Sequence, residues 1–338
     1  MEKHIHLFST QAEFEAAYNS SEYKEPWLSY TEENNTPAYN KPDYTKIPFT
    51  IEALGNGNIT WALGTKTVQY SKNGGSWETM TKDTTISVVE GDELQFKGTN
   101  ENYRNETISV TTQFNVKGNI MSLTNADDFE TANSVDASGF RRFFDGCTYL
   151  VSASDLKLPA TNLASSCYRG MFYGCTGLTT APELPATTLA SYCYQSMFRD
   201  CISLMTAPEL PATTLANYCY SCMFYNCTSL TTAPKLPATT LASSCYSTMF
   251  YGCTGLTTAP ELLATTLTSF CYHTMFYGCT NLNYIKAMFI EILVSDATTN
   301  WLSGVASTGI FVKNASAAWT TTGASGVPDG WTVQTATS

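Results

Sequence analysis

Ten cysteines set the geometry of this chain. Cys175, Cys201, Cys227, Cys253 and Cys279 recur every 26 residues, and so do Cys167, Cys193, Cys219, Cys245 and Cys271. The repeated unit reads Met-Phe-Tyr-Gly-Cys-Thr-Gly-Leu-Thr-Thr-Ala-Pro-Glu-Leu-Pro-Ala-Thr-Thr-Leu-Ala-Ser before a Cys-Tyr pair and a return to Met-Phe. A degenerate first copy starts at Phe143-Phe144-Asp145-Gly146-Cys147, 28 residues ahead of its successor. A fixed period of this size predicts a solenoid, because each unit can bury its apolar side only against its neighbours. The array covers residues 143–283.

Each unit divides in two. Leu189, Cys193 and Met197 sit at i, i+4 and i+8 with Tyr194 and Phe198 beside them, which predicts one face of a short helix. Thr187 or Thr188 would cap its start. The column Gly146, Gly174, Asp200, Asn226, Gly252, Gly278 would mark its end, since these residue types tolerate the left-handed conformation. Leu178 to Pro185 is expected to be extended, with Leu178, Ala181 and Leu184 inward and two prolines keeping any strand short. Strand plus helix at this period predicts a leucine-rich-repeat arrangement, and an α+β chain.

Charge separates the repeat from what precedes it. Residues 1–157 hold 22 acids and 13 bases, whereas residues 158–283 hold only Arg169, Glu183, Arg199, Asp200, Glu209, Lys235 and Glu261. The expected organisation is an extended arm at 1–45, a small all-β domain of immunoglobulin-like sandwich type at 46–118, a linker and N-terminal cap at 119–142, the solenoid at 143–283 and a C-terminal cap at 284–338. The arm is acidic and carries Phe8, Phe14, Trp27 and Tyr30 as apolar anchors for docking, with one short helix expected over Gln11 to Tyr18. Strands are expected around Ile47–Ile51, Asn58–Trp61, Thr67–Tyr70, Thr85–Val89 and Glu93–Phe96, with a hairpin turn at Asn73-Gly74-Gly75. Tyr284, Ile285, Met288, Phe289, Trp301, Ile310, Phe311, Val312, Trp319 and Trp331 are the residues expected to cover the last repeat.

Several functional classes are disfavoured. A net charge of −11 argues against nucleic acid as a partner. The longest apolar run, Ala287 to Val294, is too short to insert in a membrane and is broken by Glu291. The N-terminus lacks the apolar core of a signal peptide, which predicts that the ordinary secretory route is not used. For the cysteines, metal binding is disfavoured by repeat-length spacing without histidine partners. Disulfides between stacked rungs remain open, and two buried columns of free thiols are the favoured reading. Cys222 stands outside both columns.

Catalytic motifs for nucleophilic, phosphate, dinucleotide or zinc chemistry are not found, so no enzyme and no cofactor is expected. His273 shares a column with Arg169, Gln195, Ser221 and Ser247, as a surface residue would. Glu183, Glu209 and Glu261 form a column that Lys235 interrupts, which reads as a solvated face. What remains is surface. Tyr173, Arg199, Tyr225, Tyr251 and Tyr277 share one column; Tyr192, Tyr218 and Phe270 share another. These are candidate ligand-facing residues, because aromatic faces and hydroxyls suit glycans and other neutral ligands.

Phe-x-Gly-Cys-x-x-Leu followed by an extended Leu-Pro segment resembles the BspA-like leucine-rich repeats of bacterial surface proteins. The flanks are similar to proteins of Bacteroides and their crAss-like phages: His6-Leu7-Phe8, Glu13-Phe14, Glu25-Pro26-Trp27-Leu28-Ser29-Tyr30 and Tyr39-Asn40-Lys41, and Trp301 through Gly309-Ile310-Phe311-Val312 and Gly330-Trp331-Thr332-Val333. The resemblance implies a structural or adhesive role without catalytic residues. The absence of any cysteine before Cys147 speaks against a lipoprotein adhesin. The expectation is therefore a phage virion fibre or decoration protein, assembled in the host cytoplasm. It would dock to other virion proteins through its arm, form homo-oligomers, with a trimer expected, and face a host-surface glycan or protein. A secreted cell-surface adhesin and an assembly scaffold without a ligand are the alternatives.

Overall fold

The computed structural model describes residues 42–336 except Asp83, Asn105 and Ser295, together with the backbone of residues 28–30 and 37–39. The chain divides into two compact units, Met1–Asp43 and Tyr44–Ser338. In the first, β1 (Leu28–Tyr30) pairs antiparallel with β2 (Pro37–Tyr39), placing Leu28 opposite Tyr39. Phe8, Phe14, Trp27 and the helix expected over residues 11–18 lie outside the described residues. For Tyr30 only the backbone is described.

The second unit begins with eight strands in two sheets: β3 (Phe49–Ala53), β4 (Gly57–Trp61), β5 (Val68–Lys72), β6 (Glu78–Met80), β7 (Thr85–Val88), β8 (Glu93–Lys97), β9 (Ile108–Val110) and β10 (Phe114–Asn119). Their alternation is the cause of their pairing: Leu94 and Phe96 on β8, and Ile108 and Val110 on β9, point into one core. One sheet has the order β10-β3-β8-β5-β6, with one further strand beside β10, and the other β7-β4-β9. A short helix, α1 (Ser122–Asn125), follows β10, and β11 (Leu150–Lys157) then returns to pair parallel with β10.

That parallel pairing carries the sandwich directly into the repeat. Ser152 on β11 bridges Thr180, which bridges Thr206, which bridges Thr232, all in parallel. A second column runs Ser134, Asn162, Thr188, Thr214, Thr240. At the far end Thr258 bridges Tyr284, and β12 (Tyr284–Ala287), β13 (Ile310–Lys313) and β14 (Thr332–Thr335) form a parallel three-stranded sheet. Between the two Thr columns Pro182 and Pro185 leave gaps in the ladder, as residues without an N–H must.

The expected leucine-rich-repeat solenoid of strand and helix does not form. Among the described residues α1 is the only α-helix, and the repeat contributes none. Thr188, expected as a helix cap, lies in the extended ladder instead. The segment expected to be helical is a run of tight turns with an alternating hydrogen-bond scheme. The N–H groups of Cys193, Gln195, Met197, Arg199 and Cys201 donate to the carbonyl three residues back, at 3.1–3.2 Å. Those of Tyr192, Tyr194, Ser196, Phe198 and Asp200 donate instead to Asn217, Cys219, Ser221, Met223 and Tyr225 on the next rung, at 2.8–3.1 Å. Tyr192, Ser196 and Asp200 have φ of 62°, 56° and 61°. A left-handed residue every fourth position reverses the winding, so successive turns never accumulate into a helix. The local sequence permits this, because Ser, Tyr, Cys, Phe and Asp are indifferent helix formers.

The turn run points side chains inward in pairs. Cys193 and Tyr194, then Met197 and Phe198, are buried, and Ser191, Tyr192, Gln195, Ser196, Arg199 and Asp200 lie outward. Stacking the rungs aligns like with like. An inner aromatic ladder runs Tyr103, Phe140, Tyr168, Tyr194, Tyr220, Tyr246, Tyr272, with ring centroids 5.9–6.2 Å apart and interplanar angles of 2–13°. A parallel ladder runs from Phe144 to Phe276 at 5.2–5.7 Å. Offset pairs of this kind add about 0.5–1.5 kcal/mol each beyond their area burial. The first ladder starts inside the sandwich, where Phe143 packs against Trp61, Phe49 and Tyr103. It ends on Trp301, whose indole N–H donates to Gly326 O at 3.2 Å. One hydrophobic core therefore runs from Phe49 to Trp331.

All twelve cysteines are free and all but Cys222 are buried. The Cys175 column also bonds. Cys175, Cys201, Cys227, Cys253 and Cys279 each donate the thiol hydrogen to a phenylalanine carbonyl of the preceding rung, from Phe144 to Phe250, at 2.9–3.1 Å. Cys147 does the same to Ile108 O, joining the first copy to the sandwich. A small apolar group with one weak donor meets both demands of this position.

Backbone strain and buried polarity in the turn run give two opposite expectations. Ser196→Gly relieves a left-handed residue whose side chain makes no hydrogen bond among the described residues, and should raise stability by about 0.5–1 kcal/mol. Gly252→Ala, at φ 70° and with the added Cβ pressed against Asn226 Oδ1, should lower it by about 1–2 kcal/mol. The hydroxyls of Tyr168, Tyr194 and Tyr220 are buried without a partner among the described residues. Tyr194→Phe should therefore stabilise by about 1 kcal/mol. Urea midpoints at constant slope would check all three.

Candidate functional site

The outward residues of the turn run form one broad face along the stack. Tyr225, Tyr251 and Tyr277 are stacked on it with centroids 4.6 and 4.8 Å apart and interplanar angles of 5° and 4°. Arg199 takes the place of a ring in this column: its guanidinium lies 4.1 Å from the Tyr225 centroid and 5.6 Å from that of Tyr173. Arg142, which sequence reasoning did not single out, covers Tyr173 at 5.0 Å. The result is a continuous ladder of rings and guanidiniums, Arg142–Tyr173–Arg199–Tyr225–Tyr251–Tyr277. Cation–π contacts at such exposed sites are worth about 0.5–1 kcal/mol each. Arg199 Nε also sits 3.4 Å from Asp200 Oδ2.

Tyr192 and Tyr218 stack at 4.8 Å in the second column, with Arg169 5.7 Å from Tyr192. Phe270 does not join them, because Ser244 occupies the intervening rung. It is 41% exposed and meets His273 edge-on at 5.5 Å. The structure thus gathers all eight expected surface residues onto one face, in two columns seven positions apart.

Their orientation limits what they can bind. Rings that stack along the axis of the coil turn their faces to one another and only their edges and hydroxyls to solvent. The interior members therefore have no free face for a sugar ring. They offer instead rows of phenol groups with Ser and Thr between them, such as Thr248 and Thr274, whose hydroxyls lie 3.0 Å apart.

The remaining polar groups serve the stack. Glu183 pairs with Lys157 at 3.4 Å and Glu261 with Lys286 at 3.2 Å, so these members of the carboxylate column are neutralised by the flanks. Burial pushes the Cys193, Cys245 and Cys279 thiols up to about 12 and Cys271 to about 11. Thiols held this high are not nucleophiles near neutrality. No group of three His, Cys, Asp or Glu among the described residues is placed to hold a metal ion. No helix among them is long and apolar enough to cross a membrane. No family model, curated protein or solved structure matches this chain.

The thiol environment has a direct readout. At pH 8 the folded protein should release one equivalent of thiol to Ellman's reagent, from half-buried Cys222, and twelve after unfolding. Fast reaction of several thiols in the folded state would contradict the burial of the two columns.

Proposed function

We propose that the protein is a non-enzymatic structural and adhesive component of a bacteriophage virion, a fibre or a capsid or tail decoration. The N-terminal arm attaches it to other virion proteins and the outer face of the coil is displayed. The observation that carries the structural part is continuity. A single core runs from the sandwich through every rung to the C-terminal tryptophans, so the second unit is a stiff body with a repeating, nearly uncharged face. Side chains on that face are spent on ladders between rungs, which suits display and load better than catalysis. The assignment to a particle rests on the likeness of the terminal segments to proteins of Bacteroides and their phages.

Mass spectrometry of purified virions should find the chain, and its absence would overturn the reading. Deletion of residues 1–43 should leave Tyr44–Ser338 folded, since that unit has its own core, yet keep it out of particles. A truncated product that still assembled would remove the arm from the proposal. Light scattering should show an oligomer, with a trimer expected.

A further inference from the structure

Positive charge on this acidic protein is concentrated where the sandwich meets the coil. Arg141 and Arg142 lie just ahead of the first copy and Arg169 one rung on, in the column that continues with the uncharged Gln195, Ser221 and Ser247. Arg104 approaches from the sandwich. Arg142 is engaged with Asp145 at 2.9 Å. Arg104, Arg141 and Arg169 have no ion pair among the described residues, and Arg141 Nε is buried with no hydrogen-bond partner. Burial, and the repulsion of Arg169, Arg104 and Arg142, pull the Arg141 pKa down. An open cleft of about 430 Å³ lies against Arg141, lined by Thr107, Arg141, Arg142 and Asp145.

Uncompensated like charges cost stability, and a chain with a net charge of −11 has carboxylates to spare. Holding guanidiniums together without them is the arrangement of an anion site. Guanidinium groups present planar donor forks that match oxygens in pairs, and several of them around one opening favour a group with three or four oxygens. Asp145 engages Arg142, which leaves Arg141 as the guanidinium on the cleft wall without an ion pair among the described residues.

We propose that the cleft walled by Arg141, Arg142, Thr107 and Asp145 is a binding site for a sulfate or phosphate group. The group is either a free ion or an ester carried on a polysaccharide. Arg141 makes the bidentate contact, Arg104 and Arg169 add long-range attraction, and the Thr107 hydroxyl donates one further hydrogen bond. The inference needs only the cleft and is independent of the virion reading.

Isothermal titration of the full chain with sodium sulfate, sodium phosphate, dextran sulfate and unsulfated dextran tests it. Free anions should bind in the millimolar range, dextran sulfate at least about tenfold tighter, and unsulfated dextran not at all. Arg141→Gln should weaken anion binding by at least about tenfold. Arg104→Gln, at an exposed position, should weaken it about two- to threefold without touching the fold, and added salt should do likewise. Arg199→Gln, on the ladder, should change nothing. Binding of the free ions alone would keep the site and assign it a soluble ligand. Failure of every anion to bind, or binding by Arg141→Gln as strong as by the unaltered protein, would overturn the proposal.

Discussion

Everything in the second unit depends on how the turn run distributes its backbone N–H groups. One closes a turn, the next reaches the neighbouring rung, and the alternation holds through each copy. A helix would have satisfied all of these donors locally and left the rungs to be joined by side chains alone. The price is a residue in the left-handed region at every fourth position, in most places not a glycine. Tyr218, Cys222, Thr248 and Phe270 all accept it. Such residues persist because rung-to-rung bonds on both sides fix them, and because the paired inward side chains complete a column only in this conformation.

The repeat was legible in the sequence down to single columns, and its secondary structure was not. Period and phase follow from the cysteines alone; in the extended half Leu178 and Leu184 are buried as expected, and Ala181 is half-buried. The error lies in reading Leu189, Cys193 and Met197 as a helix. A spacing of four, met twice, fits a helix of 3.6 residues per turn with little drift. The signal that separates the two is the doublet: Cys193-Tyr194, then Met197-Phe198, keep a strict two-in, two-out period of four, whereas on a helix each step of four turns the pair by a further 40°. The glycine, asparagine and aspartate column at Gly174, Asp200 and Asn226 correctly marks left-handed backbone. It is one of three such columns, and the other two are invisible because Ser, Tyr, Thr, Cys and Phe fill nearly all of their positions.

The surface ladders show the same division. That Tyr173, Tyr225, Tyr251 and Tyr277 share a face follows from the period. That their faces are used up by one another, with Arg199 as a stacking member, depends on a rung spacing of a few ångström and on side-chain direction. The Arg141-Arg142 pair stood in the sequence just ahead of the first copy. Its importance depends on Arg104, 37 positions earlier, which only the strand order of the sandwich brings near.

Near-identical rungs also have a consequence for how the chain finds its structure. A rung shifted onto the wrong neighbour would make the same backbone bonds, the same ring stacks and the same thiol contacts as the correct one. Inside the array only outward residues such as Arg199, Asp200 and Asn226 distinguish one copy from the next; the inward columns do not. Register is therefore set from outside, by pieces that occur once: Phe143 wedged among Trp61, Phe49 and Tyr103 at one end, and Trp301 against Phe289 and Phe311 at the other. The sandwich is in this sense a template on which the first rung is laid. The number of rungs is then free to change by duplication or loss of one unit, altering the reach of the molecule while leaving both ends as they are.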